Sequence, residues 1–278
     1  MRFAFRTAPQ HTTWAELLAV WQVAEDIEVF ESGWTFDHFY PIFSDSRGPC
    51  LEGWTVTTAL AQATERLRFG TLVTGIPYRH PAVLANMATA LDLISGGRLE
   101  LGIGAGWHEE ESAAYGIPLG TPAQRSDRFE EACEVLTGLM SQESTTFQGE
   151  YYQLTDARNE PKGVQRPHPP ICIGGNGEKR TLRTAARFAQ HWSFLGGTPS
   201  EFARKRDVLH AHCDDLGRDP SEILLSSPVR YDGDAAATAA SAAALGEEGL
   251  GLAIIPLKPP FDPAVLEPLA SALSEIGR

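Results

Sequence analysis

Asp37 and His38 follow the apolar run Trp34-Thr35-Phe36 directly, so a carboxylate and an imidazole stand together at the end of what reads as a short buried strand. An acid beside a histidine can orient the ring and leave one nitrogen to move a proton near neutral pH. The competing reading is structural, with Asp37 capping the next segment and His38 packing against Phe39 and Tyr40. A second constellation lies further along. Ile171-Cys172-Ile173 runs into Gly174-Gly175-Asn176-Gly177 and then into Glu178-Lys179-Arg180-Thr181-Leu182, which reads as the start of a helix. Glycines leave backbone N–H groups accessible and a helix N-terminus adds positive potential, so this order predicts an anion cradle for the phosphate of a cofactor or substrate. Its surroundings are basic, because Arg158, Lys162, Arg166, Lys179, Arg180, Arg183 and Arg187 outnumber Glu160 and Glu178. The plainer alternative is a solvated helix face after a glycine turn.

Other motifs fail on inspection. Gly102-Ile103-Gly104-Ala105-Gly106-Trp107 begins like a dinucleotide fingerprint but has Trp107 where the third glycine belongs. His108-Glu109-Glu110-Glu111-Ser112 shares only its first two letters with a zinc-protease helix, since Ser112 replaces the second histidine ligand. His168, within Arg166-Pro167-His168-Pro169-Pro170, reads as a surface loop residue. Cys50, Cys133, Cys172 and Cys213 lack the C-x-x-C spacing of metal or redox sites and are expected as free thiols.

The elements that must position these groups alternate between short apolar runs and longer segments of helical period. The strands predicted are 2–7, 33–36, 67–74, 98–105, 170–174, 191–195, 223–230 and 250–255, each with a helical stretch after it. Eight such units make an α/β fold of the (β/α)8 TIM-barrel type, one domain over 1–278, in which loops at the C-terminal strand ends carry chemistry. Phe129, Ala132, Cys133, Leu136, Leu139 and Met140 share one helical stripe, which places Cys133 in the core. Leu99–Gly104 changes to period two, and its glycines suit a strand tip that a ligand must approach. Residues 145–155 predict a small hairpin inserted between the fourth helix and the fifth barrel strand.

The chain has 278 residues, 42% of them hydrophobic, enough for a sizeable core. Lys+Arg 23 against Asp+Glu 36 gives a net charge of −13, which repels a phosphate backbone and argues against nucleic acid as a partner. No run approaches a membrane span and the N-terminus lacks a signal-peptide pattern, so the expectation is a cytoplasmic protein acting on a small molecule, away from membranes. The oligomeric state is open, and a homodimer is compatible with the sequence.

Several long segments resemble the luciferase-like monooxygenase superfamily. They are Trp34-Thr35-Phe36-Asp37-His38-Phe39-Tyr40-Pro41, Gly70-Thr71-Leu72-Val73-Thr74-Gly75 with Tyr78-Arg79-His80-Pro81, the run from Leu91 to Trp107, Tyr115-Gly116-Ile117-Pro118, and Ile173-Gly174-Gly175-Asn176-Gly177-Glu178-Lys179-Arg180-Thr181-Leu182. The resemblance is nearest to the branch that uses the deazaflavin coenzyme F420. It implies a barrel with the coenzyme ring at its C-terminal mouth and hydride transfer between the ring's C5 and a small organic substrate, for example at a C=C or C=N bond. By the same resemblance Asp37 and His38 lie beside the ring, with His38 as proton donor or acceptor and Asp37 its orienting partner. A bulge at Leu72, Val73 and Thr74 backs the ring, with a non-proline cis peptide at Leu72–Val73 or, failing that, Val73–Thr74. Gly106, Trp107 and His108 border the site, Gly174, Gly175, Asn176 and Gly177 hold the phosphate, and Lys179 and Arg180 meet an oligoglutamate tail. Ile42 and Trp107 replace the tryptophan and glutamate of the sugar-phosphate-oxidising branch, which speaks against that substrate. His108 replaces a frequent asparagine and either adds a second proton-transfer group or substitutes for its hydrogen bond. Gln190-His191-Trp192 stands where Asp-Gly-Trp is often seen. FMN with dioxygen on the same barrel, and a barrel that binds a ligand without turnover, are the alternatives.

Overall fold

The computed structural model describes residues 1–276. The elements run β1 (Arg2–Arg6), α1 (Trp14–Glu25), β2 (Phe30–Asp37), α2 (Gly53–Gln62), β3 (Arg68–Gly75), α3 (Pro81–Ile94), β4 (Leu99–Gly104), α4 (Glu109–Ala114), α5 (Pro122–Ser141), β5 (Thr145–Gln148), β6 (Gln153–Ala157), β7 (Ile171–Gly174), α6 (Thr181–Phe188), β8 (His191–Ser193), α7 (Pro199–Leu216), β9 (Leu224–Pro228), α8 (Ala235–Glu247), β10 (Leu252–Pro256) and α9 (Leu266–Ile276). Parallel strands close in the order β1-β10-β9-β8-β7-β4-β3-β2, the (β/α)8 TIM barrel expected from the alternation. Outside it, β5 and β6 form the inserted antiparallel hairpin, two residues longer than expected. The Glu131 carboxylate secures its turn by accepting the N–H groups of Glu150, Tyr151 and Tyr152 at 2.7, 2.9 and 3.1 Å.

Local chemistry explains where the helices begin. Thr13 with Glu16, Thr121 with Gln124 and Thr198 with Glu201 form reciprocal capping boxes on α1, α5 and α7, and Pro122 and Pro199 sit where a missing N–H costs nothing. The main core lies between barrel and helices, and Cys133 is fully buried in it, whereas His168, expected at the surface, is buried in the loop before β7 with its Nδ1 2.8 Å from the Pro169 carbonyl oxygen. A smaller cluster of Ala4, Trp34, Cys172, Leu252 and Ile254 fills the barrel interior. Strand β2 begins at Phe30, earlier than the expected 33, because Phe30 packs edge-on against Phe5 at 5.7 Å while the strand shifts register between Phe3 and Ala4 of β1.

A polar network occupies the N-terminal half of the interior. The Glu100 carboxylate meets His191 Nδ1 at 3.0 Å and accepts from Arg68 Nε at 2.9 Å, while His191 Nε2 lies 2.6 Å from Ser226 Oγ. The Trp34 ring stands edge-on to His191 at 5.5 Å and its Nε1 donates to Ser32 Oγ. Burial alone would raise the Glu100 carboxyl, but its bond to His191, the His191 charge and Arg68 hold it down at about 2.

Between Gly70 and Thr74, β3 carries one residue more than β4 opposite it, a bulge at Leu72 and Val73. The Leu72–Val73 peptide is cis, where the resemblance places it. The β4 glycines make room for this bulge. A Cβ at Gly102 would lie 1.8 Å from the Thr71 carbonyl oxygen, and one at Gly104 would lie 2.9 Å from Val73 Cγ2.

Candidate active site

The tips of β2, β3, β4 and β7 lie side by side around one half of the C-terminal mouth, and each delivers part of a polar cluster. His38, the residue after β2, is buried, and its Nδ1 lies 2.7 Å from Glu111 Oε2. The same oxygen accepts from the Tyr78 hydroxyl at 2.5 Å, and Glu111 Oε1 accepts from the Phe39 backbone N–H at 2.6 Å. Burial works against the Glu111 charge, yet the bonds from His38, Tyr78 and Phe39 outweigh it and hold the carboxyl below its ordinary range. An ionised Glu111 has no proton to give, so His38 Nδ1 is the donor in this contact. The ring nitrogen left over for other chemistry is Nε2. Tyr78 is pushed well above the usual phenol range by burial and by Glu111, so it stays a donor. Cys50, with Sγ 3.5 Å from the His38 carbonyl, is pushed up to about 12 by burial and the nearby acids and is no nucleophile at neutral pH.

Asp37 does not orient His38. Its carboxylate is gripped by both terminal nitrogens of Arg79, one contact being 3.0 Å, and Arg79 also reaches Glu52 at 2.9 Å. Burial raises the Asp37 carboxyl and Arg79 opposes that rise. Adjacent strand residues point to opposite faces, so the neighbours in sequence diverge in space and a residue 73 positions away takes the orienting role. Nothing in the composition distinguishes Glu111 from Glu109 and Glu110; the phase of the short helix α4 alone turns it inward.

His108 caps α4, its Nδ1 accepting the Glu111 N–H at 3.2 Å, and its ring sits 5.9 Å from that of His38. Trp107 is half-exposed and stacks on Phe43 at 5.4 Å, with its ring 5.7 Å from His38. The Tyr40 hydroxyl beside them is buried without a hydrogen-bond partner.

At the β7 tip, Gly175 adopts φ +142°, and a Cβ there would lie 2.7 Å from Thr181 Cγ2. The Gly175 N–H joins the barrel through Ser193, whereas those of Asn176, Gly177 and Glu178 have no backbone acceptor among the described residues. Helix α6 begins at Thr181, three residues later than expected. Trp192 Nε1 braces the loop on the Gly175 carbonyl at 2.8 Å, and Asn176 Oδ1 accepts the Leu195 N–H at 2.9 Å. That bracing, and the interior position of His191, are what Gln190-His191-Trp192 does here.

The basic segment is not a free positive patch. Arg180 pairs with Asp127 at 2.5 Å, and Arg187 pairs with Glu130 and Glu134 at 3.2 and 2.9 Å, all three acids lying on α5. Arg158 and Lys162 pair with Asp156 and Glu160. Charge counted along one stretch of chain omits the acids that a neighbouring helix packs against it. Lys179 and Arg183 stay exposed and form no ion pair among the described residues.

An uncharacterized protein of Mycobacterium tuberculosis is 35% identical over 162 residues, covering 58% of this chain and 54% of that protein. The FMNH(2)-dependent dimethylsulfone monooxygenase of Pseudomonas putida is 33% identical over 150 residues, covering 54% of this chain and 40% of that protein. The matched segments thus span about half the length of these curated relatives. Among solved structures, an F420-dependent secondary alcohol dehydrogenase in complex with an F420-acetone adduct superposes with a TM-score of 0.87 at 19% identity, over 98% of both chains, a likeness of fold. No helix among the described residues is long and apolar enough to cross a membrane. The profile for luciferase-like monooxygenases matches residues 1–266, nearly the whole chain, and with the closed parallel barrel and its bulged third strand this makes the protein a member of the luciferase-like monooxygenase family.

Proposed function

We propose that this protein is an F420-dependent oxidoreductase that reduces a small organic substrate, with His38 handling the proton. The observation that carries the reading is the Glu111–His38 contact, which engages Nδ1 and leaves Nε2 to serve the reaction. The glycine loop after β7 fits a coenzyme phosphate, because its N–H groups lack backbone acceptors and Gly175 has no room for a side chain. Gly174, Gly175, Asn176 and Gly177 would hold that phosphate, with Lys179 beside it, while Arg180 is engaged by Asp127. Leu72, Val73 and Thr74 at the bulge and Gly106, Trp107 and His108 beyond β4 would border the ring. When bound, reduced F420 supplies a hydride from C5. His38 Nε2 supplies the accompanying proton, so a C=C or C=N bond gains two electrons and two hydrogens, and the imidazole is reprotonated from solvent. Asp37 holds the β2 tip through Arg79.

The similarity to an FMNH(2)-dependent enzyme supports a second reading, an FMN monooxygenase on the same scaffold. Titration with each coenzyme, followed by quenching of the six tryptophans, separates the two. Binding of F420 in the micromolar range or tighter with FMN weaker is expected, and tightly co-purified FMN overturns the F420 reading. Gly175→Ala should weaken the bound coenzyme by about tenfold, because its Cβ would meet Thr181 Cγ2 and shift the neighbouring N–H groups of Asn176 and Gly177 by enough to lose one charge-assisted hydrogen bond. Glu111→Gln should lower turnover by about tenfold with coenzyme affinity kept, because an amide that turns its N–H toward His38 Nδ1 no longer accepts from it and the ring loses its fixed orientation. Unchanged turnover would reduce Glu111 to a packing residue.

A further inference from the structure

A partly open cavity of about 670 Å³ lies on the side of β9, β10 and β1, lined by residues at the C-terminal ends of these strands, by Gly196, Gly197 and Pro199 after β8, and by Ser241, Ala244 and Leu245 of α8. Three cations line it: Arg6, the last residue of β1, and Arg230 and Lys258, each two residues beyond the ends of β9 and β10. These strands are consecutive in the barrel, with Arg6 in register with Pro256 on one side and Trp34 of β2 on the other. No acidic residue among the described residues lines the cavity, although the chain carries a net charge of −13. Arg230 and Lys258 share Asp232 on the exposed rim. Arg6 is partly buried and has no carboxylate partner among the described residues; burial pulls its guanidinium below the usual range, and no neighbouring acid opposes this. The remaining wall is mostly apolar, including Val229, Leu245 and Leu257. A partly buried guanidinium without an acid, in a mostly apolar-walled cavity, suits the planar bidentate geometry of a carboxylate.

We propose that Arg6, assisted at the rim by Arg230 and Lys258, is a carboxylate-binding subsite, and that the substrate is a small organic acid whose anionic end it anchors. The last step, from subsite to substrate, rests on the oxidoreductase reading, with the reactive group directed across the mouth toward His38. An alternative source of carboxylates is the polyglutamate tail of the coenzyme itself.

The test uses the full chain without coenzyme and titrates benzoate against neutral, isosteric benzamide by calorimetry. Benzoate is expected to bind about tenfold more tightly, the scale of one hydrogen-bonded ion pair. Arg6→Gln should abolish that preference with thermal stability checked in parallel, and the rim variant Arg230→Gln/Lys258→Gln should reduce it by about threefold. Equal binding of benzoate and benzamide, or a preference that survives both variants, overturns the proposal. Should Arg6→Gln fail to fold, the rim variant decides by the same ratio. A loss in Arg6→Gln of affinity for long-tailed F420 but not for its tail-less precursor, with the benzoate preference intact, assigns the cations to the tail and also overturns it. Because the benzoate preference is read without coenzyme, its failure is distinguishable from a failure of the F420 reading.

Discussion

His38→Ala is expected to lower turnover by about 100-fold or more while leaving coenzyme affinity within about twofold, the pattern of a lost general acid or base. The split follows from the geometry. His38 stands at the β2 tip with Nδ1 engaged by Glu111, whereas the candidate phosphate cradle is at the β7 tip on other residues. Removing the imidazole also leaves Glu111 with Tyr78 and the Phe39 N–H, enough donors to keep it ionised and the loop in place. Added imidazole should restore part of the rate, since the alanine side chain frees the space the ring occupied. The neighbouring His108 is the competing proton source, since its Nδ1 accepts the Glu111 N–H in capping α4 and its Nε2 is left over as well. If His38→Ala turns over substrate at nearly the wild-type rate, the proton comes from His108, another group or water, and the role assigned to His38 is wrong.

Glu100→Ala should cost about 3 kcal/mol of stability in urea unfolding, the lower end for breaking a buried ion pair by removing one partner. The substitution leaves Arg68 and His191 without their shared acceptor inside the barrel. Its pH signature has a definite sign. The Glu100 carboxyl lies at about 2 in the folded protein against 4.5 for the ordinary group. Its stabilising contribution is therefore complete above about 4.5 and disappears as the pH falls toward about 2. The difference in unfolding free energy between wild type and Glu100→Ala should shrink over that acid range. A difference that stays constant from neutral pH downward would show that the effect is a cavity left by the side chain and not the lost charge. Glu100→Gln, which keeps the shape, separates the same two causes at neutral pH.

Much of the barrel was legible in the chain because burial on both faces of a parallel strand demands continuous apolar runs, and three helices, α1, α5 and α7, start at a threonine followed three residues later by Glu or Gln. The eight strands, the inserted hairpin, the buried Cys133 and the bulge at Leu72–Val73 all follow from local composition or from motifs long enough to carry a family resemblance. Local signals of this kind act over a few residues, and so do the spacings that reveal them. Tertiary structure decided which side chains meet. It paired His38 with Glu111 and Asp37 with Arg79, neutralised Arg180 and Arg187 with acids of α5, filled the space beside Gly102 and Gly104 with backbone and Val73, and grouped Arg6 with Arg230 and Lys258. Barrel packing, from strand neighbours to the helices laid over them, explains these contacts. It brings β1 beside β10 and the loop after β4 over the tip of β2, and an ion pair or a cavity wall depends on distances of a few ångströms between positions that sequence separation does not encode.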